Sequence, residues 1–305
     1  MALHPQAEAV LALWAQGPNV TDPGFGPDGI ARLRADALAV AAEEAKEPVA
    51  RVVDVDADGV PCRLYLPETG SPAQLGGLVF LHGGGFVFGD LDTHDGQSRR
   101  LANRTGLAVL AVDYRRPPEH RFPAAPDDVD TAVAWFVTQA ASWGVDPTRL
   151  AVVGDSAGGN LALVAALRNP NLFAAAVLVY PFLDPEAAAA SYATESHPSL
   201  TSDEGAWYWQ QYAATPADLR HPDLAPLRSD RLGTLPPTLV QVAEHDVLAG
   251  EDVELARMVA EAGGTVSTTL YPGMVHGFWR HPQAFDAAEE ALADGAAFLR
   301  AALQG

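Results

Sequence analysis

RLAVVGDSAGGNLALVAALR, residues 149–168, is the stretch on which the reading of the fold turns. Its first part, LAVV, is short, apolar and β-branched, as a buried strand is. Its last part, AGGNLALVAALR, reads as a helix. Between them lies GDSAG at 154–158, a Gly-x-Ser-x-Gly turn with the serine at its apex. Strand, sharp turn and helix in that order form a nucleophile elbow, in which the serine hydroxyl stands clear of the sheet edge. The serine of such an elbow holds a strained backbone conformation, and the glycines leave room where side chains would collide. A glycine-rich turn with Ser156 as an ordinary helix cap would use the same residues, so the surrounding sequence has to decide.

Outward from this stretch, apolar segments alternate with amphipathic helical ones. The segments are RVVDVDA (51–57), CRLYL (62–66), GGLVFLH (76–82), LAVLAVDY (107–114), RLAVVGD (149–155), LFAAAVLVY (172–180), PTLVQVAEH (237–245) and TVSTTLY (265–271). Such alternation predicts an α/β protein with a mostly parallel eight-stranded sheet and helices on both faces. The first two strands, joined by ADGVP, are expected to form a hairpin. Residues 1–45 read as two helices parted by NVTDPGFGP, and residues 184–222, rich in Pro, Trp, Tyr and charge, as a helical insertion. The expected organisation is one catalytic domain, 46–183 with 223–305, covered by a helical cap from 1–45 and 184–222.

Ligands of open α/β sheets bind beyond the carboxyl ends of the strands, which directs attention to four places. Ser156 follows one strand as nucleophile. HGGGF at 82–86 follows another, and its glycines let backbone N–H groups approach a developing oxyanion; Gly83 and Gly84 are the expected donors, with the Ala157 N–H. A merely flexible glycine turn is the alternative, and a phosphate loop is disfavoured because G-x-x-x-x-G-K-[ST] is missing. Of nine histidines, only His276 and His281 lie beyond the last expected strand. His276, in the loop YPGMVHGF, is the expected general base, whereas His281 before Pro282 looks solvent-facing. The orienting acid must end a strand between Ser156 and the base: Asp246 is the choice, Glu244 the reserve. Asp155 is assigned support of the neighbouring loop at most.

Trp207, Tyr208, Trp209 and Tyr212 either pack the insertion or wall a substrate pocket; Phe86, Trp207, Trp209 and Phe25 are the residues expected in a pocket. One cysteine, Cys62, excludes an intramolecular disulfide and a cysteine-built metal site. With no HExxH and no closely spaced histidine pair, neither a metal nor a cofactor is expected. Nineteen Lys and Arg against 39 Asp and Glu give a net charge of −20, which repels nucleic acid and anionic membrane surfaces. The amino-terminal apolar stretch has no basic residue before it, so cytoplasmic residence is the default expectation.

Taken together, HGGGF at 82–86, DYRRPPEHRFPAAPDD at 113–128, GDSAGGNLA at 154–162, AEHDVL at 243–248 and HGF at 276–278 resemble the hormone-sensitive-lipase-like, or bacterial family IV, carboxylesterases of the α/β-hydrolase fold. The resemblance covers nearly the whole chain. It places nucleophile, acid and base on Ser156, Asp246 and His276, and the oxyanion donors on Gly83, Gly84 and Ala157. It implies hydrolysis of small esters with short or medium acyl chains, no cofactor, and a homodimer as a frequent state. One departure is RRPPEH at 115–120, where the family commonly has Arg-Leu-Ala-Pro-Glu-His, so that Pro117 narrows the backbone. Some plant members of the family are receptors without the catalytic histidine, which makes ligand binding without turnover the alternative; the presence of His276 speaks for the enzyme.

Overall fold

The central strands are apolar at nearly every position because both faces of their sheet are covered. In the computed structural model, which describes residues 2–68 and 74–304, helices α1 (Pro5–Trp14) and α2 (Pro27–Glu43) precede the hairpin of β1 (Arg51–Ala57) and β2 (Val60–Leu66). There follow β3 (Leu75–Leu81), α3 (Asp95–Thr105), β4 (Ala108–Val112), α4 (Ala124–Gln139), β5 (Val145–Asp155), α5 (Ala157–Arg168) and β6 (Phe173–Val179). The chain continues through α6 (Ser191–Thr194), α7 (Ser202–Tyr212), β7 (Thr238–His245), α8 (Ala249–Glu261), β8 (Val266–Val275) and α9 (Asp286–Gln304). The sheet order is β1-β2-β4-β3-β5-β6-β7-β8. Strand β2 is antiparallel to both its neighbours, and every other pairing from β4 to β8 is parallel.

Period-2 alternation divides the strand side chains between two cores. Val79 and Leu81 of β3 join Leu110, Val112 and Val152 beneath α4, α5 and α8. Leu78 and Phe80, pointing the other way, join Val109, Val153 and Val177 beneath α1, α3 and α9. Cys62 of β2 is buried in the first of these cores, where desolvation pushes its thiol up to about 12 and leaves it inert. The eight expected strands and the hairpin are present. The eighth is longer than expected: YPGMV, read as a loop, completes β8 and pairs His245 with Val275 after a register shift.

Helices α1 and α2 fall within the first expected cap zone, and α6 and α7 within residues 184–222, much of which is otherwise irregular. Residues 69–73 of the expected catalytic domain, and the terminal residues 1 and 305, lie outside the described residues. Helix α1 is tied to the end of β8 by the His4 N–H donating to the Gly273 carbonyl. Arg34 of α2 donates to the Val87 and Pro117 carbonyls and pairs with Glu119 at 2.8 Å. The Pro117 departure therefore lies under α2, where its carbonyl serves as a docking point. Helix α7 begins with a capping box in which Thr201 and Glu204 satisfy each other's backbone N–H.

Candidate active site

Four strands deliver the expected residues to one edge of the sheet. Ser156 directly follows β5, Asp246 follows β7, His276 follows β8, and His82 to Gly85 follow β3. Ser156 has φ 54° and ψ −120°, a strained geometry for a residue with a side chain. A Cβ at Gly154 would strike the Gly158 carbonyl, and one at Gly158 would strike that of Leu81. The elbow is thus possible only with glycine on both sides, and it seats Ser156 at the amino end of α5, where unpaired N–H groups and the helix dipole favour negative charge.

The three polar side chains form a continuous chain. His276 Nδ1 lies 2.7 Å from Asp246 Oδ2, and His276 Nε2 lies 3.0 Å from Ser156 Oγ. A carboxylate can only accept, so the Nδ1 proton donates to Asp246 and the neutral ring offers Nε2 as acceptor to the Ser156 hydroxyl. The Asp246 side chain is fully buried, with its other oxygen held by the Leu248 N–H at 3.0 Å. Tyr180 packs its ring 4.7 Å from the imidazole. The arrangement can move a proton from Ser156 to His276 without displacing either residue. Glu244, the reserve acid, instead accepts from the Gly273 N–H at 2.8 Å.

The glycine loop differs from expectation by one residue. The Gly83 N–H is taken up by Asp155 Oδ1 at 2.9 Å, whereas Gly84 and Gly85 line the cavity at Ser156. Both have positive φ, 115° and 59°, and the N–H groups of Gly84, Gly85 and Ala157 find no acceptor among the described residues. Asp155 therefore does support this loop. Burial pushes its carboxyl upward, and Arg280 and the Gly83 N–H pull in the opposite direction. His82 anchors the loop from behind. Its ring stacks on Tyr114 at 4.4 Å, the Tyr114 hydroxyl donates to its carbonyl, and burial depresses its imidazole to about 3.

A cavity of about 410 Å³ opens over Ser156 and His276. Leu13 and Trp14 of the amino-terminal zone and Leu200 and Tyr208 of the insertion supply walls, together with Phe182. The four residues expected in the pocket lie elsewhere. Phe86 is buried against Tyr212 in a parallel stack at 3.7 Å, and Trp209 stacks on Phe182 at 4.2 Å. Trp207 meets Phe25 edge-on at 5.7 Å. These contacts hold the insertion against the glycine loop and the segment just before α2, and Tyr208 is the member of the aromatic run that reaches the cavity. His281, expected to face solvent, also lines it, packs on Trp14 at 5.3 Å, and has its imidazole lowered to about 4 by burial. Arg280 and His281 are shared with a second cavity of about 590 Å³ beside α2 and α3.

Comparison with known proteins identifies the fold and the reaction class. The family described as alpha/beta hydrolase fold matches residues 78–280. An ethyl acetate hydrolase of Pseudomonas putida is 36% identical over 310 residues, covering 96% of each chain. The carboxylesterase NlhH of Mycobacterium tuberculosis is 35% identical over 98% of this chain and 97% of its own. Among solved structures, the hyperthermophilic esterase of the archaeon Pyrobaculum calidifontis superposes with a TM-score of 0.89 at 35% identity, covering 99% of both chains. With motif, topology and relatives in agreement over nearly its full length, the chain belongs to the hormone-sensitive-lipase-like carboxylesterases of the α/β-hydrolase fold and is a carboxylic ester hydrolase.

Proposed function

We propose that this esterase cleaves short- to medium-chain carboxylic esters through an acyl-enzyme on Ser156. The unbroken chain from Asp246 through His276 to the Ser156 hydroxyl, ending in a cavity, carries this reading. Ser156 Oγ attacks the ester carbonyl carbon while its proton passes to His276 Nε2. The oxyanion that forms faces the N–H groups of Gly84, Gly85 and Ala157, a set in which Gly85 replaces Gly83 because the latter is bound to Asp155. The imidazolium, stabilised by Asp246, gives its proton to the leaving alkoxide, and the alcohol departs. Water then attacks the acyl carbon, losing a proton to His276, which passes it to Ser156 Oγ as the acyl–oxygen bond breaks, so that the carboxylic acid leaves and the free serine is restored.

The cavity volume, at the low end of the roughly 300–1,000 Å³ common for ligand pockets, supports small acyl groups. Its walls from 1–45 and 184–222 support the reading of both zones as a cap. Ligand binding without turnover is not favoured, since the relatives are hydrolases and Nε2 is already hydrogen-bonded to the serine. A panel of p-nitrophenyl esters from acetate to palmitate tests the proposal. The expected result is highest kcat/KM between acetate and octanoate and negligible turnover of palmitate. A maximum at palmitate would overturn the chain-length reading, and turnover undiminished in Ser156→Ala would overturn the mechanism.

A further inference from the structure

Behind the cavity wall, two elements far apart in sequence bring two histidines and a carboxylate together. Glu195 closes α6, His197 lies two residues on, and His245 is the last residue of β7. His245 Nδ1 is 2.8 Å from Glu195 Oε2, and His197 Nε2 is 3.6 Å from the same oxygen. One donor atom from each residue falls within a common span of 4.8 Å. The two rings stand nearly perpendicular, at 83°, with centroids 6.0 Å apart. His197 Nε2 is buried without a hydrogen-bond partner, although it faces the carboxylate.

We propose that Glu195, His197 and His245 form a binding site for a divalent transition metal, with Zn²⁺ as the fitting ion. A Glu195–His245 hydrogen bond alone would account for two of the three residues. It would leave the His197 nitrogen desolvated beside them, an arrangement that costs stability. Tetrahedral zinc with bonds of about 2.0–2.1 Å separates its donors by about 3.3 Å, and the observed 2.8 and 3.6 Å bracket that value. Two imidazoles and one carboxylate suit zinc and its neighbours better than calcium or magnesium, which prefer all-oxygen shells. The side chains of Glu195 and His197 are 26% and 24% exposed, so the cluster lies close to the surface, from which water can take the fourth position. Glu244, 3.8 Å from His245 Nε2, adds negative charge on the other side of that ring, and the chain's charge of −20 raises the local concentration of cations.

The location gives the ion a role. His197 immediately precedes Pro198, Ser199 and Leu200, which line the Ser156 cavity, and His245 immediately precedes Asp246. An ion held here clamps one cavity wall to the strand end that carries the acid. It is a positioning and stabilising site, separate from the reacting atoms. No spacing in the sequence announces it, because Glu195 and His245 are 50 residues apart.

The test is calorimetric titration of chelator-treated full-length protein with ZnCl₂, paired with melting curves and with the visible spectrum of the Co²⁺-loaded protein. One ion per chain is expected, with a rise of about 5 °C in Tm when zinc is a hundredfold above Kd and an intense tetrahedral cobalt band. Affinity should fall at least about tenfold in both His197→Ala and Glu195→Gln and be unchanged in His276→Gln, which distinguishes this site from adventitious zinc at the active-site histidine. If His197→Ala does not fold, Glu195→Gln and the cobalt spectrum decide. Absence of stoichiometric binding, binding indifferent to Glu195→Gln, or binding abolished by His276→Gln would overturn the proposal.

Discussion

At the scale of single residues, the reading depends on Ser156, His276 and Asp246 acting as one unit, since each hydrogen bond in the chain orients the next. Ser156→Ala and His276→Ala are each expected to lower kcat by on the order of 10⁴–10⁶, and the double variant to lose scarcely more than either single one. Losses that multiply would show independent action and contradict the pairing. Asp246→Asn should lose about 10⁴-fold, because an amide at that position favours the wrong imidazole tautomer. The proposed triad could be read from the sequence because each member lies just beyond an expected strand, and the order Ser, acid, His leaves few choices. The proposed oxyanion donors could be read from the sequence only to within one residue. HGGGF announces a loop of free N–H groups, but which of them faces the cavity depends on Asp155, 72 positions away, taking the Gly83 N–H.

At the scale of elements, the strands could be read directly because burial on both faces forces unbroken apolar runs, and the turns between them carry glycine and proline. The insertion could be recognised but its faces could not. Trp207, Tyr208 and Trp209 are successive residues of α7, about 100° apart around the helix axis, so they cannot share one wall. Which of them meets the cavity is set by the rotation of α7, and that is fixed by the stacks of Trp209 on Phe182 and Tyr212 on Phe86. His281 was misplaced for a related reason: its partner Trp14 comes from the opposite end of the chain. Because Leu13, Trp14, Gly17 and Pro18 line the cavity, a variant lacking residues 1–30 is expected to lose more kcat/KM on hexanoate or octanoate than on acetate esters. Each acyl methylene that loses its apolar wall forfeits up to about 0.8 kcal/mol. The assay needs circular dichroism and a melting curve beside it. A folded truncation with an unaltered chain-length profile would remove the amino-terminal zone from the pocket.

At the scale of the whole molecule, buried histidines couple the fold to pH. Burial lowers His82 to about 3 and His281 to about 4, against about 6.5 in the unfolded chain. Both are therefore neutral in the folded protein while the unfolded chain takes up protons, so the stability they contribute is complete above pH 6.5 and is lost as pH falls toward 4 and then 3. Tm should drop between pH 7 and pH 5, and His281→Phe, which keeps a ring against Trp14, should recover on the order of 1–2 kcal/mol of that fall. An identical pH profile in wild type and variant would remove His281 from the account. The fold gathers residues from four strand ends at one place, and covalent trapping tests their proposed action as a single reacting centre. The protein is treated with diethyl p-nitrophenyl phosphate, whose phosphorus is attacked as an ester carbonyl would be, and its peptides are weighed. One diethylphosphoryl group per chain is expected, on the peptide carrying Ser156, appearing in step with loss of esterase activity and failing to form in His276→Ala. A label on any other residue accompanying inactivation, or full inactivation with Ser156 unmodified, would contradict it.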